Sequence, residues 1–114
     1  LIPETSMLSR VPPLAAFYRE RFLASSLASM EGMAEAITSE PDRVAELAKT
    51  EMPVLVCHGE HDNGWEPQQQ AEMAQRLGAD YAVIPGARHS PAVEQTELTL
   101  KALLEFWRGS VVNR

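Results

Sequence analysis

Two short apolar runs, Val54-Leu55-Val56-Cys57 and Tyr81-Ala82-Val83-Ile84, flank a segment that carries its own start and stop signals, and this arrangement restricts the chain to few folds. The intervening stretch, 66–78, has Pro67 near its beginning and Gly78 just past its end, the asymmetry typical of a helix. Strand, helix and strand in that order describe a crossover unit. Such crossovers between parallel strands of one sheet are right-handed in nearly all cases, so both strands point the same way and their following loops leave the same edge. Ligands of open α/β sheets bind outside the carboxyl ends of the strands, where these two loops meet.

The first loop is His58-Gly59-Glu60-His61-Asp62 and the second is Pro85-Gly86-Ala87-Arg88-His89. A carboxylate that orients an imidazole makes up two members of a nucleophile-activating triad, the acid fixing the tautomer and stabilising the imidazolium. A lone histidine is more often a satisfied loop residue. Here its place after a strand, opposite an aspartate placed the same way, favours the base role. Asp62 also suits an Asx turn that bonds its own loop, and one carboxylate can do both. His58, His61 and Asp62 are ordinary zinc ligands by type, but they lie in one loop after a strand without a supporting cluster, so no metal is expected. His58 and Gly59 are instead expected to shape the turn, His61 to lie near the surface, and Glu60 to be a solvated loop carboxylate.

At these residues the sequence resembles the C-terminal part of an α/β-hydrolase-fold enzyme. In that family the acid loop typically reads Pro-Val-Leu-Val followed by His-Gly-x-x-Asp, matched by Pro53 to Val56 and by His58, Gly59 and Asp62. The histidine loop reads Pro-Gly-x-x-His, matched by Pro85, Gly86 and His89. The likeness covers roughly residues 42 to 109. It implies that Asp62 is the acid and His89 the general base. Some members place the acid after an earlier strand. Trp65 stands where many relatives have a small aliphatic residue, which marks it as a wall of the substrate pocket.

The family's nucleophile sits on a Gly-x-Ser-x-Gly elbow that precedes the acid. None of the serines at 6, 9, 25, 26, 29, 39, 90 and 110 has those flanking glycines. The resemblance therefore implies a chain that is the second half of a longer enzyme, and Leu1 in the first position agrees with this or with an excerpted or processed chain. The expected partner is the N-terminal half of the fold, and the expected substrate a small, apolar molecule with an ester-like bond. Thioester, carbon–carbon, epoxide and halide chemistries stay open, because the nucleophile and oxyanion donors decide among them. No organic cofactor is implied. A non-catalytic assembly or binding module built on the same unit is the competing reading, and an enzyme nicked in an exposed cap is a third.

Composition limits the partners further. The 114 residues, 45% hydrophobic, suffice for one small domain. A net charge of -6 and a pI near 5.0 disfavour nucleic acid, whose binding needs clustered Lys and Arg. Cys57 is the single cysteine, so no intrachain disulfide forms and a reducing, cytoplasmic setting is expected. No apolar run approaches the ~20 residues of a membrane span, and no signal-peptide pattern opens the chain.

The remaining segments read as helices. Pro12-Pro13 can begin one with Ala15, Tyr18 and Phe22 at helical spacing, and Leu27, Met30, Ala34 and Ile37 continue the period in a second. The resemblance assigns residues 1–40 to a cap or lid over the active site and 41–114 to the C-terminal part of the α/β core. Met7, Met30, Met33 and the Phe17, Tyr18, Phe22 cluster suit ordinary helix packing, methionine filling irregular gaps well, or else a lipophilic pocket. Ser39 with Asp42 resembles a capping box for a short helix begun by Pro41 and carrying Val44 and Leu47. Leu100, Leu103, Leu104 and Trp107 fall at i, i+3, i+4 and i+7, an apolar face expected to cover the sheet beside residues 81–84, with Gly109 as the stop. An isolated chain of this kind is expected to form a homo-oligomer through its unpaired strand edge and apolar helix faces.

Overall fold

The computed structural model describes residues 12–109, and the chain divides into two units after Asp42. Met7 lies outside the described residues. The first unit holds helices α1 (Pro12–Ala24) and α2 (Leu27–Ser39). Two serines separate them. Ser25 Oγ donates to Arg21 O at 2.8 Å and closes α1, while Ser26 Oγ accepts the Ser29 N–H at 3.2 Å and caps α2. Ala15, Tyr18, Phe22 and Met30 are half-buried, whereas Phe17, Leu27, Met33 and Ile37 are exposed.

The second unit runs α3 (Val44–Ala48), β1 (Leu55–Gly59), α4 (Pro67–Leu77), β2 (Asp80–Ile84), α5 (Pro91–Glu94) and α6 (Thr96–Arg108). The capping box at Ser39 does not form. Ser39 still belongs to α2, where its hydroxyl is held by Glu35 O, and α3 begins only at Val44 with no side-chain cap. The strands β1 and β2 pair in parallel, Leu55 opposite Asp80 through Gly59 opposite Ile84. This is the strand-helix-strand unit read from the sequence.

Helix α4 has the ends its punctuation predicts. Pro67 occupies its first turn, where no N–H is required, and Gly78 takes a left-handed φ of 60°. From there Gly78 N–H reaches Gln75 O and Ala79 N–H reaches Ala74 O, the paired bonds of a Schellman stop that turns the chain directly into β2. The buried apolar core is small: Val56 of β1, Ile84 at the end of β2, Ala87 in the loop after it and Ala74 of α4.

Helix α6 packs beside β2 as expected, but with a face turned away from Leu100 and Trp107. Thr99 is buried and Ala102, Leu103, Leu104 and Phe106 are half-buried, while Leu100 and Trp107 are 51% and 68% exposed. The helix carries two overlapping apolar stripes, 99-102-103-106 and 100-103-104-107, and periodicity alone does not choose between them. Among the described residues no helix is long and apolar enough to cross a membrane.

Candidate functional site

The hydrogen bonding of β1 to β2 continues beyond the strands and sews their loops together. Glu60 N–H donates to Ile84 O, and His61 N–H to Ala87 O, each at 2.9 Å. Gly59 is needed at this closure for space, since a β-carbon there would strike Arg88 O and stand 2.6 Å from Ala87 O. The Glu60 carboxylate accepts the Gly86 N–H at 3.2 Å, where the chain turns with a φ of 73°. Two loops fixed backbone to backbone in this way bring Asp62 and His89 together.

His89 Nδ1 lies 2.9 Å from Asp62 Oδ1. The Asp62 side chain is only 7% exposed and that of His89 66% exposed. Oδ1 also accepts the N–H groups of Gly64 at 2.9 Å and Trp65 at 3.2 Å, so the Asx turn and the imidazole contact coexist. Oδ2 accepts from Gln70 Nε2 at 3.0 Å. Burial pushes the Asp62 carboxyl up, but the bonds from Gly64, His89, Gln70 and Trp65 outweigh it and hold the group below its ordinary value. Because an ionised carboxylate only accepts, Nδ1 of a neutral His89 carries the proton and Nε2 keeps a basic lone pair.

Trp65 follows within the same turn, its backbone tied to Asp62 and Gln70, and the residue is 56% exposed. His58, His61 and Asp62 are not gathered as ligands, and among the described residues no three His, Cys, Asp or Glu side chains cluster as a metal site. His58 reaches the turn as expected, since Gly59 O, the partner of its Nδ1, also accepts the Asp62 N–H at 3.2 Å. It is buried inside β1, with Nδ1 2.6 Å from Gly59 O and Nε2 2.6 Å from the Tyr81 hydroxyl, so it ties the two strands together. His61 is exposed beside Glu60 at 3.1 Å. Burial pushes the half-buried Cys57 thiol up, which keeps it protonated and a poor nucleophile.

Three contributors escape a reading of the sequence alone. Gln70 sits at the position of α4 that continues the stripe of Met73, Ala74 and Leu77, and a polar residue on an apolar stripe was the available signal. Gly64 lies against the His89 ring. Glu94 Oε1 accepts the N–H groups of Arg88 at 3.0 Å and Ser90 at 2.9 Å, on either side of His89. For the last two, spacing in the sequence carries no signal.

No curated protein and no solved structure matches the chain significantly. A family model does, the one described as serine aminopeptidase S33, over residues 3–96, which takes in both strands, the crossover helix and the two loops. With that match spanning most of its length, the chain belongs to the serine aminopeptidase S33 family of α/β-hydrolases.

Proposed function

We propose that this chain supplies the acid and the base of a nucleophile-His-Asp triad in a hydrolase acting on an ester-like bond of a small, apolar substrate. The nucleophile comes from the N-terminal half of the fold, outside these 114 residues. What carries the reading is the 2.9 Å contact between His89 Nδ1 and Asp62 Oδ1 at the shared loop edge of a parallel strand pair. His89 Nε2 takes the proton of the nucleophile as its bond to the acyl carbon forms, returns it to the leaving group, and then activates the water that releases the acid product. Asp62 keeps the ring in the Nδ1–H tautomer and stabilises its charge each time the proton arrives. Trp65, three residues beyond the acid and largely exposed, offers an apolar wall to the substrate.

The test uses the enzyme assembled from this chain and the segment bearing the nucleophile. His89→Ala and Asp62→Ala should each cut turnover with the fold retained, the acid by as much as ~10⁴ on the serine-protease precedent. Near-normal turnover in Asp62→Ala would put the acid after an earlier strand and overturn its role here.

A further inference from the structure

We infer that Gln70 is the positioning residue of the acid, its side-chain amide setting the plane of the Asp62 carboxylate so that Oδ1 faces the imidazole. The inference rests on the base role proposed for His89. Asp62 Oδ1 is held by Gly64 N–H and Trp65 N–H from its own turn. A carboxylate held at one oxygen still pivots about it, because the terminal torsion of aspartate is soft. The second oxygen is held from a separate element: Gln70, on α4, reaches Oδ2 at 3.0 Å. Fixing both oxygens fixes the plane, and the plane decides whether a lone pair of Oδ1 points at His89 Nδ1.

The amide is itself held in one orientation. Nε2 also lies 3.1 Å from Trp65 O. An ionised carboxylate and a backbone carbonyl both only accept, so the NH₂ end faces them, and a flipped amide would set oxygen against oxygen at both contacts. Both protons of Nε2 are therefore used, one on the acid and one on the turn that carries it. Gln70 is 9% exposed, on the stripe shared with Met73, Ala74 and Leu77. An apolar side chain would serve packing there without the desolvation cost of an amide, which its two acceptors offset.

The 114-residue chain itself allows the test, with ¹⁵N NMR of the His89 ring as a readout that a merely structural role would not move. Wild-type His89 should hold its proton on Nδ1 when neutral. Gln70→Met keeps the volume and removes both donors, and Gln70→Glu keeps the shape but sets a like charge against Asp62. The share of Nδ1–H should fall in Gln70→Met and fall further in Gln70→Glu. In the assembled enzyme kcat of Gln70→Met should drop about tenfold with KM unchanged. A wild-type ring without Nδ1–H would remove the base reading itself, whereas Nδ1–H retained in both variants would leave that reading standing and overturn the role of Gln70. If neither variant folds, the wild-type Gln70 amide decides: slowly exchanging Nε2 protons support the assignment, and solvent-fast exchange overturns it.

Discussion

Gly64 lies directly against the ring of His89: a methyl group on its α-carbon would stand 2.6 Å from Nδ1 and 2.7 Å from Cε1. Real contacts of that kind need about another ångström, so one partner must yield. The imidazole, 66% exposed, is the freer of the two. Gly64→Ala should therefore leave the chain folded but swing His89 away from Asp62 Oδ1, with turnover in the assembled enzyme down by about 10²-fold, the usual penalty for a misplacement near 1 Å. Survival of the His89–Asp62 bond in the variant, seen as an unchanged Nδ1–H resonance, would show that the turn moves instead.

Glu94 acts on the same histidine through the backbone. Its Oε1 accepts the N–H groups of Arg88 and Ser90, the residues that flank His89, so one carboxylate holds the bend in which His89 sits. Removing it leaves both donors without this acceptor in a partly buried place. Glu94→Ala should destabilise the chain by about 1–3 kcal/mol in urea unfolding, while Glu94→Gln, whose amide oxygen still accepts, should lose much less.

The crossover unit and the pair Asp62 and His89 are legible in the sequence because their signals are local: apolar runs, Pro67 at a helix start, Gly78 at its stop, and loops that must share an edge. What supports that pair is not local. Gln70 is one of three consecutive glutamines; the period of α4 sets the third on its apolar stripe, but only the approach of α4 to the acid loop gives that amide its partner. Gly64 has a φ that other residues also adopt, so its requirement is space and arises only when the His89 loop arrives. Helix α6 shows the converse, where a clear periodicity fits two faces and the fold uses the one bearing Thr99.

Acid should weaken the chain through Asp62. Its donors hold the folded carboxyl below its ordinary 3.8. A group depressed on folding contributes stability that is complete above its unfolded value and disappears as the pH falls through the folded one. The stability of wild type relative to Asp62→Asn should accordingly be constant near neutrality and shrink as the pH drops below 3.8, measured by urea unfolding at a series of pH values. A difference independent of pH across that range would mean that the folded carboxyl keeps its ordinary value and that its donors do not favour the ionised form.

The chain alone should not hydrolyse esters or react with a serine-directed fluorophosphonate, since no serine in it has elbow glycines and Cys57 is held as a thiol. Stoichiometric labelling of one serine, abolished by His89→Ala, would show that the chain holds its own nucleophile and would defeat the two-part reading.

Association should accompany that inactivity. The sheet has two strands among the described residues, so each of β1 and β2 has one edge without a neighbouring strand, and such edges template pairing with another chain. The outward stripe of α6 adds Leu100 and Trp107, exposed at 51% and 68%, and Leu98, on another side of the helix, is exposed at 41%. Few large side chains are buried to offset this, because the core rests on Val56, Ile84 and two alanines, Ala74 and Ala87. The isolated chain should therefore form a homodimer or larger oligomer, or be recovered with an N-terminal partner that covers these surfaces. Light scattering across a dilution series should show a mass above 12.6 kDa that falls on dilution. A folded monomer at every concentration would mean that the unit from Arg43 onward completes its own core and needs no other half.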